Sequence, residues 1–286
     1  MNDTIIGLGN PGASIIRILN SLDLKMNYFL FSSEEMKLEK NIHHVKIPNF
    51  KHLEEYETKF PKISKYFKNL NGDIFFIVSG GEDLSFSSLV ILEQVKKFFE
   101  NIIVIYIQPE LEILSQTSLT KENVTFNILQ EYARSGAFEQ LILISNSEIN
   151  KLLGGLSILS YQNKISETIA HMFYFIYKFQ KMKPVFNTFH ELPIAARICT
   201  ISIIDFNSKL ETSLFNLDNV TDVMYYFGHS KESLEKDLSL FEKIKEMLKN
   251  NTDNNKRISY GVFAVNGTND MVYNLKYTST IQKREA

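Results

Sequence analysis

The string Gly7-Leu8-Gly9-Asn10-Pro11-Gly12 follows directly on an apolar run, Thr4–Leu8, and leads into a helical pattern from Ala13. A strand, a glycine turn and a helix in that order can hold a phosphate. Glycines let the backbone approach the anion, and the start of the helix supplies free N–H groups and a favourable dipole. Glycine-rich turns of this kind also occur with no ligand, so the string alone leaves both readings open. Other chemistry is thin. His43 and His44 are neighbours on a predicted strand and point to opposite faces, so they cannot share one ion. His190 and His229 fall in predicted loops with no cysteine or second histidine at ligand spacing, and the reading nominates no metal site. His171 sits on an apolar helical stretch and reads as a hydrogen-bonded core residue. Cys199, the only cysteine, reads as a small core residue of a strand; nothing nominates a base beside it.

The elements around these residues alternate. Strand-type runs are expected at Thr4–Leu8, Tyr28–Phe31, His44–Ile47, Asp73–Val78, Ile102–Ile107 and Leu141–Ile144. Between them lie helical patterns at Ala13–Leu22, Leu53–Asn69, Ser85–Phe99 and Lys121–Arg134. Several strand runs are apolar throughout, as expected of parallel strands covered on both faces. The alternation predicts an α/β fold with a parallel, nucleotide-binding-type sheet. From Gln162 to Lys181 one long helix is expected, buried on most sides and stopped by Pro184. Strands then follow at Arg197–Asp205, Val223–Phe227, Ile258–Val265 and Met271–Tyr277, with one helix, Ser230–Lys249, among them. Residues Asn250–Lys256 read as a polar loop, and Gly267–Asp270 as a hairpin turn between the last two strands. The resulting plan is a nucleotide-binding-type domain over 1–160, a central helix over 161–185 and a second, β-rich α+β lobe over 186–286.

Of the 286 residues, 44% are hydrophobic, which allows a sizeable core. The net charge of −2 carries no basic bias toward nucleic acid. A single cysteine excludes an internal disulfide. No run of apolar residues reaches the length of a membrane span, and the first residues lack the features of a signal peptide. The expectation is a cytoplasmic protein that binds neither nucleic acid nor membrane.

Most of the chain resembles the tubulin/FtsZ superfamily, including the divergent tubulins of phages and plasmids. Gly7 to Ser14 resembles the family's first phosphate loop. Asp73 to Lys97 contains a strand, Ser79-Gly80-Gly81 and then a helix, and sits where the tubulin signature loop belongs. Asn123 to Ile149 resembles the helix–strand pair that ends in a base-contacting asparagine, here Asn146. The long helix and the β-rich lobe resemble the central helix and activation domain. The resemblance implies GTP as cofactor, with Mg2+ where nucleotide binds. It nominates Gly7, Gly9, Asn10, Gly12, Ser14, Gly80, Gly81, Ser85, Asn146 and Asn163 as cofactor-binding residues. The loop after the central helix, Asn187 to Pro193, matches the family's catalytic loop, with Asn187 and Glu191 as the catalytic candidates; Glu191 could orient a water. The opening string also resembles that of peptidyl-tRNA hydrolases, but no histidine follows before His43.

The departures shape the functional expectation. Glu82, Asp83, Leu84 and Phe86 stand where the signature needs glycine, serine or threonine. Carboxylates beside a triphosphate repel it by roughly 1 kcal/mol or more per close pair at a partly exposed site, unless a divalent metal bridges them. The second phosphate loop, Pro48 to Leu53, holds no glycine, and the catalytic loop has Phe189 where an aspartate is usual. The leading expectation is a self-assembling cytoskeletal or scaffold protein with weak or absent GTP turnover. The alternatives are a competent GTPase with a divergent pocket, or a nucleotide-free structural or adaptor subunit of a larger, possibly viral, complex. Phe86 and Phe189 have two readings that stay open: anchors of a contact between subunits or with a partner protein, or core residues of their own subunit.

Overall fold

The computed structural model describes residues 2–22, 24–35, 39–52, 54–250, 256–266 and 270–283. The chain forms two compact units, Met1–His171 and Met172–Ala286. The first unit begins with β1 (Thr4–Leu8), α1 (Gly9–Ser21), β2 (Asn27–Ser32), β3 (Ile42–Lys46) and a short α2 (Glu55–Thr58). It continues with β4 (Ile74–Ser79), α3 (Ser88–Val95), β5 (Ile102–Gln108), α4 (Gln116–Arg134), β6 (Gln140–Ser145) and α5 (Asn146–Leu152). Its six strands lie in the order β3-β2-β1-β4-β5-β6, and every neighbouring pair is parallel. All six therefore end on the same edge, and the turns after β1, β2, β3, β4, β5 and β6 gather there. Strands β1 and β4 are buried along their whole length, which is what their unbroken apolar sequences predict for a sheet covered on both faces.

The helix α6 (Tyr161–Lys181) carries the chain into the second unit. That unit continues with β7 (Phe186–Asn187), β8 (Ile198–Ile204), β9 (Glu211–Ser213), β10 (Asp222–Ser230), α7 (Lys231–Lys236), α8 (Leu240–Asn250), β11 (Arg257–Val265) and β12 (Met271–Thr278). Within it β8 pairs with β9 and β12, β12 with β10, β10 with β11, and β11 with β7; only β10 and β11 run parallel. The core of this unit joins Tyr225, Phe227, Ile244 and Met247. The mixed α/β plan agrees with the fold class expected from the sequence.

Several local expectations are corrected. The helix expected over Leu53–Asn69 is two short pieces, α2 and a 3-10 turn at Ser64–Tyr66. Pro61 lies between them, and neither its missing N–H nor the restricted residue before it fits a helix interior. The helix expected over Ser230–Lys249 breaks into α7 and α8, because Asp237 turns to accept from the Ser239 N–H at 2.9 Å and so recaps the chain. The last two strands form no hairpin, since β10 lies between β11 and β12; residues 267–269 of the expected turn fall outside the described residues, as do 251–255 of the polar loop. Helix α6 buries one face only, and His171 is exposed on the other. His229 is not in a loop but buried in β10, with Nδ1 2.7 Å from Asp270. Cys199 is buried in β8, as a core residue should be.

Candidate functional site

The carboxyl edge of a parallel sheet is where ligands of such folds bind, because the strands end there and helix starts point outward. At β1 the chain passes into α1 with no intervening loop. Gly7 and Gly12 let strand and helix touch: a methyl on Gly7 would lie 2.6 Å from the Gly12 carbonyl oxygen, and one on Gly12 2.8 Å from the Gly7 backbone. Their role is packing. Gly9 has φ +69°, the left-handed region that suits glycine. The helix start has no side-chain cap. Asn10 is exposed, and the Ser14 hydroxyl donates to its carbonyl at 3.2 Å.

The loop after β4 comes next along the edge. Gly81 has φ +86°, and a methyl on Gly80 would come within 2.5 Å of Glu122 Cγ, beneath a buried pair in which the Tyr106 hydroxyl donates to the Glu122 carboxylate. Both surviving glycines are therefore required by the backbone and by the packing under it. Ser85 is buried, and its hydroxyl donates to the Ser79 carbonyl at 2.6 Å rather than facing outward. Ser87 and Ser88 likewise donate to backbone carbonyls.

These loops meet at a cleft of about 190 Å3 whose lining includes Gly9, Asn10, Glu34, Asn49, Tyr56, Glu82 and Asp83. Three carboxylates face it. Burial pushes Glu82 up to about 7, with Glu34 and Asp83 adding repulsion; Asp83 pairs with Lys121. After β3, Glu55 at the start of α2 accepts from the N–H groups of Lys51 at 3.1 Å and His52 at 3.2 Å on the loop before it. Glu34 and Tyr56 were missed in the sequence. The available signal was position: Ser32-Ser33-Glu34 follows a buried strand that had to end on this same edge.

At β6, Asn146 opens α5. Its buried Oδ1 and that of Asn150, one turn on, have no hydrogen-bond partner among the described residues. Three strand spacings separate β6 from β1, about 14 Å. Asn163 is exposed in the first turn of α6. In the second unit Asn187 ends β7 and its side chain accepts from the Phe189 N–H at 3.2 Å, while Glu191 is exposed. Phe189 packs inward on Tyr226, with ring centroids 5.4 Å apart, and fills the space over Gly261. Half-buried, it packs within its own unit, which favours the core reading of the two. Phe86 is half-buried and lines a small apolar crevice with Leu89, Val124 and Leu129.

The two ends of this edge differ in what they present to a guanine nucleotide. At the β6 end the Oδ1 atoms of Asn146 and Asn150 lack a hydrogen-bond partner among the described residues, but both are buried away from the surface a base would approach. The phosphate end does not fit: the space above Gly9 is filled by Glu82, and two further carboxylates line the approach. Among the described residues no cluster of three or more His, Cys, Asp or Glu is arranged to hold a metal, and no helix is long and apolar enough to cross a membrane.

The fold is that of the tubulin/FtsZ proteins. An FtsZ dimer of M. jannaschii, described as empty, matches with TM-score 0.71 over 97% of this chain and 88% of its own, at 12% identity. A CetZ protein of Haloferax volcanii, in a GTPγS-bound protofilament, matches with TM-score 0.71 over 97% of this chain and 92% of its own, also at 12% identity. TubZ of Bacillus thuringiensis serovar israelensis, in a GTPγS-form protofilament, matches with TM-score 0.68 over 97% and 86%, at 11% identity. No protein-family model matches the sequence, and no curated protein matches it.

Proposed function

We propose that this chain is a tubulin-type subunit that assembles with copies of itself through protein contacts, with weak or absent GTP turnover. The observation that carries the reading is two groups of exposed apolar side chains, one in each unit, on a fold shared with protofilament-forming proteins. In the first unit Ile158 is 94% exposed and Leu159 96% exposed. They lie beside Tyr161, whose hydroxyl donates to Glu110 at 2.5 Å and so ties this loop to the segment that carries exposed Ile113. In the second unit Val185, Phe186 and Ile194 are exposed. Isolated exposed apolar side chains are ordinary, and it is the contiguous patch that marks a contact surface, which these groups would form when two copies meet.

The phosphate end supports assembly that does not depend on nucleotide. Losing about three backbone donors at ~1.5 kcal/mol each weakens binding roughly a thousandfold. Purified protein is expected to release no guanine nucleotide on denaturation, and to sediment as filaments with or without added GTP. Stoichiometric guanine nucleotide in the released fraction, or polymer that forms only with GTP, would overturn this reading.

A further inference from the structure

We propose that the carboxylate of Glu82 is a built-in occupant of the β1–α1 turn, seated by the fold where an external anion would otherwise approach the first residues of α1. The geometry is direct. Gly9 has no side chain and a left-handed φ, and a methyl group placed on it would collide with Oε2 of Glu82. The glycine keeps the turn open, and the opening is filled from within. Glu82 is no drifting surface group: it follows Gly81, whose φ of +86° turns the chain, and the Ser85 to Ser79 hydrogen bond closes the loop just beyond it. A different arrangement follows β3, where the first residue of α2 holds a carboxylate over the preceding loop. There Glu55 accepts from the N–H groups of Lys51 and His52, so those two donors are taken by the chain's own carboxylate.

The occupant fits its surroundings better than a phosphate would. Glu34 and Asp83 already face the cleft, and a group carrying two or more charges would meet both. Glu82 can take up a proton near neutral pH and relieve the repulsion, as burial and those two neighbours favour. The obstruction is therefore one of occupied space first and of charge second.

Three forms of the full chain separate these causes: wild type, Glu82→Gln, which keeps the shape and removes the charge, and Glu82→Gly, which empties the seat. Each is titrated with Mg2+–GTP by calorimetry, with melting temperature as a check of folding and Glu82→Ala as a second emptied form. Wild type and Glu82→Gln are expected to bind with Kd above about 10 μM, and the emptied forms at least about tenfold more tightly than wild type. Submicromolar binding by wild type overturns the proposal. So does Glu82→Gln binding as well as Glu82→Gly, which would make charge alone the obstacle. Folded emptied forms that bind no better than wild type also overturn it. The readout is binding and not polymer, so the result stands apart from the self-assembly reading.

Discussion

Glu82 sets a pH dependence whose sign follows from its environment. Its folded-state value of about 7 lies above the ordinary 4.5. Between those values the folded chain holds a proton that the unfolded chain has released. Stability therefore falls as pH rises through that window, and the penalty is complete above about 7. Glu82→Gln removes the titration while keeping the shape. It is expected to be more stable than wild type at pH 8 by about 1–3 kcal/mol, with the difference vanishing near pH 4.5. Denaturant melts of both proteins at the two pH values measure this, and a difference that is the same at both excludes Glu82 as its source. The interruption of the glycine loop by two carboxylates was visible in the sequence, because residue types are legible directly. That Glu82 turns over Gly9, and that Gly80 is held by Tyr106 and Glu122 beneath it, was not. Those contacts join residues far apart in the chain, and only the sheet order brings them together.

The elements were legible where one physical signal dominated. The apolar runs within the strands expected at Asp73–Val78 and Ile102–Ile107 pointed to buried parallel strands, and Ile74–Ser79 and Ile102–Gln108 are such a pair. Boundaries failed where a side chain competed with the helix, as at Pro61 and at Asp237. The two-residue strand β7 was missed because nothing in Phe186-Asn187 distinguishes it; the register opposite Gly261 and Val262 creates it. That register decides the role of the next aromatic. Phe189 fills the hollow over Gly261, where even a methyl would lie 2.6 Å from its ring. Phe189→Ala is therefore expected to cost about 2–3 kcal/mol through a cavity beside Tyr226 and Phe263. Urea unfolding checks it: a loss under about 0.5 kcal/mol would place Phe189 back on a contact surface.

At the scale of the molecule, the two apolar sets differ, and that difference carries the last prediction. A contact made by one surface on itself closes into a dimer, whereas a contact between unlike surfaces leaves one of each unmet and continues. Ile158 and Leu159 belong to the first unit, and Val185, Phe186 and Ile194 to the second. Little in the residue pattern points to the first set, because Leu156-Ser157-Ile158-Leu159 reads as easily as a buried turn. Exposure at these positions emerges only once the helices beside them have filled the core. Ile158→Glu and Ile194→Glu each place a charge on one set and leave the other intact. Each variant alone is expected to remain monomeric, with melting unchanged within about 0.5 kcal/mol, as surface substitutions usually are. Mixed in equal amounts, they retain one compatible pair of surfaces, so a single contact forms and then nothing further can add. Analytical ultracentrifugation of the mixture should show a dimer boundary absent from either variant alone. Filaments in either single variant would remove that set from the contact. Monomers throughout the mixture would mean that the two sets do not meet.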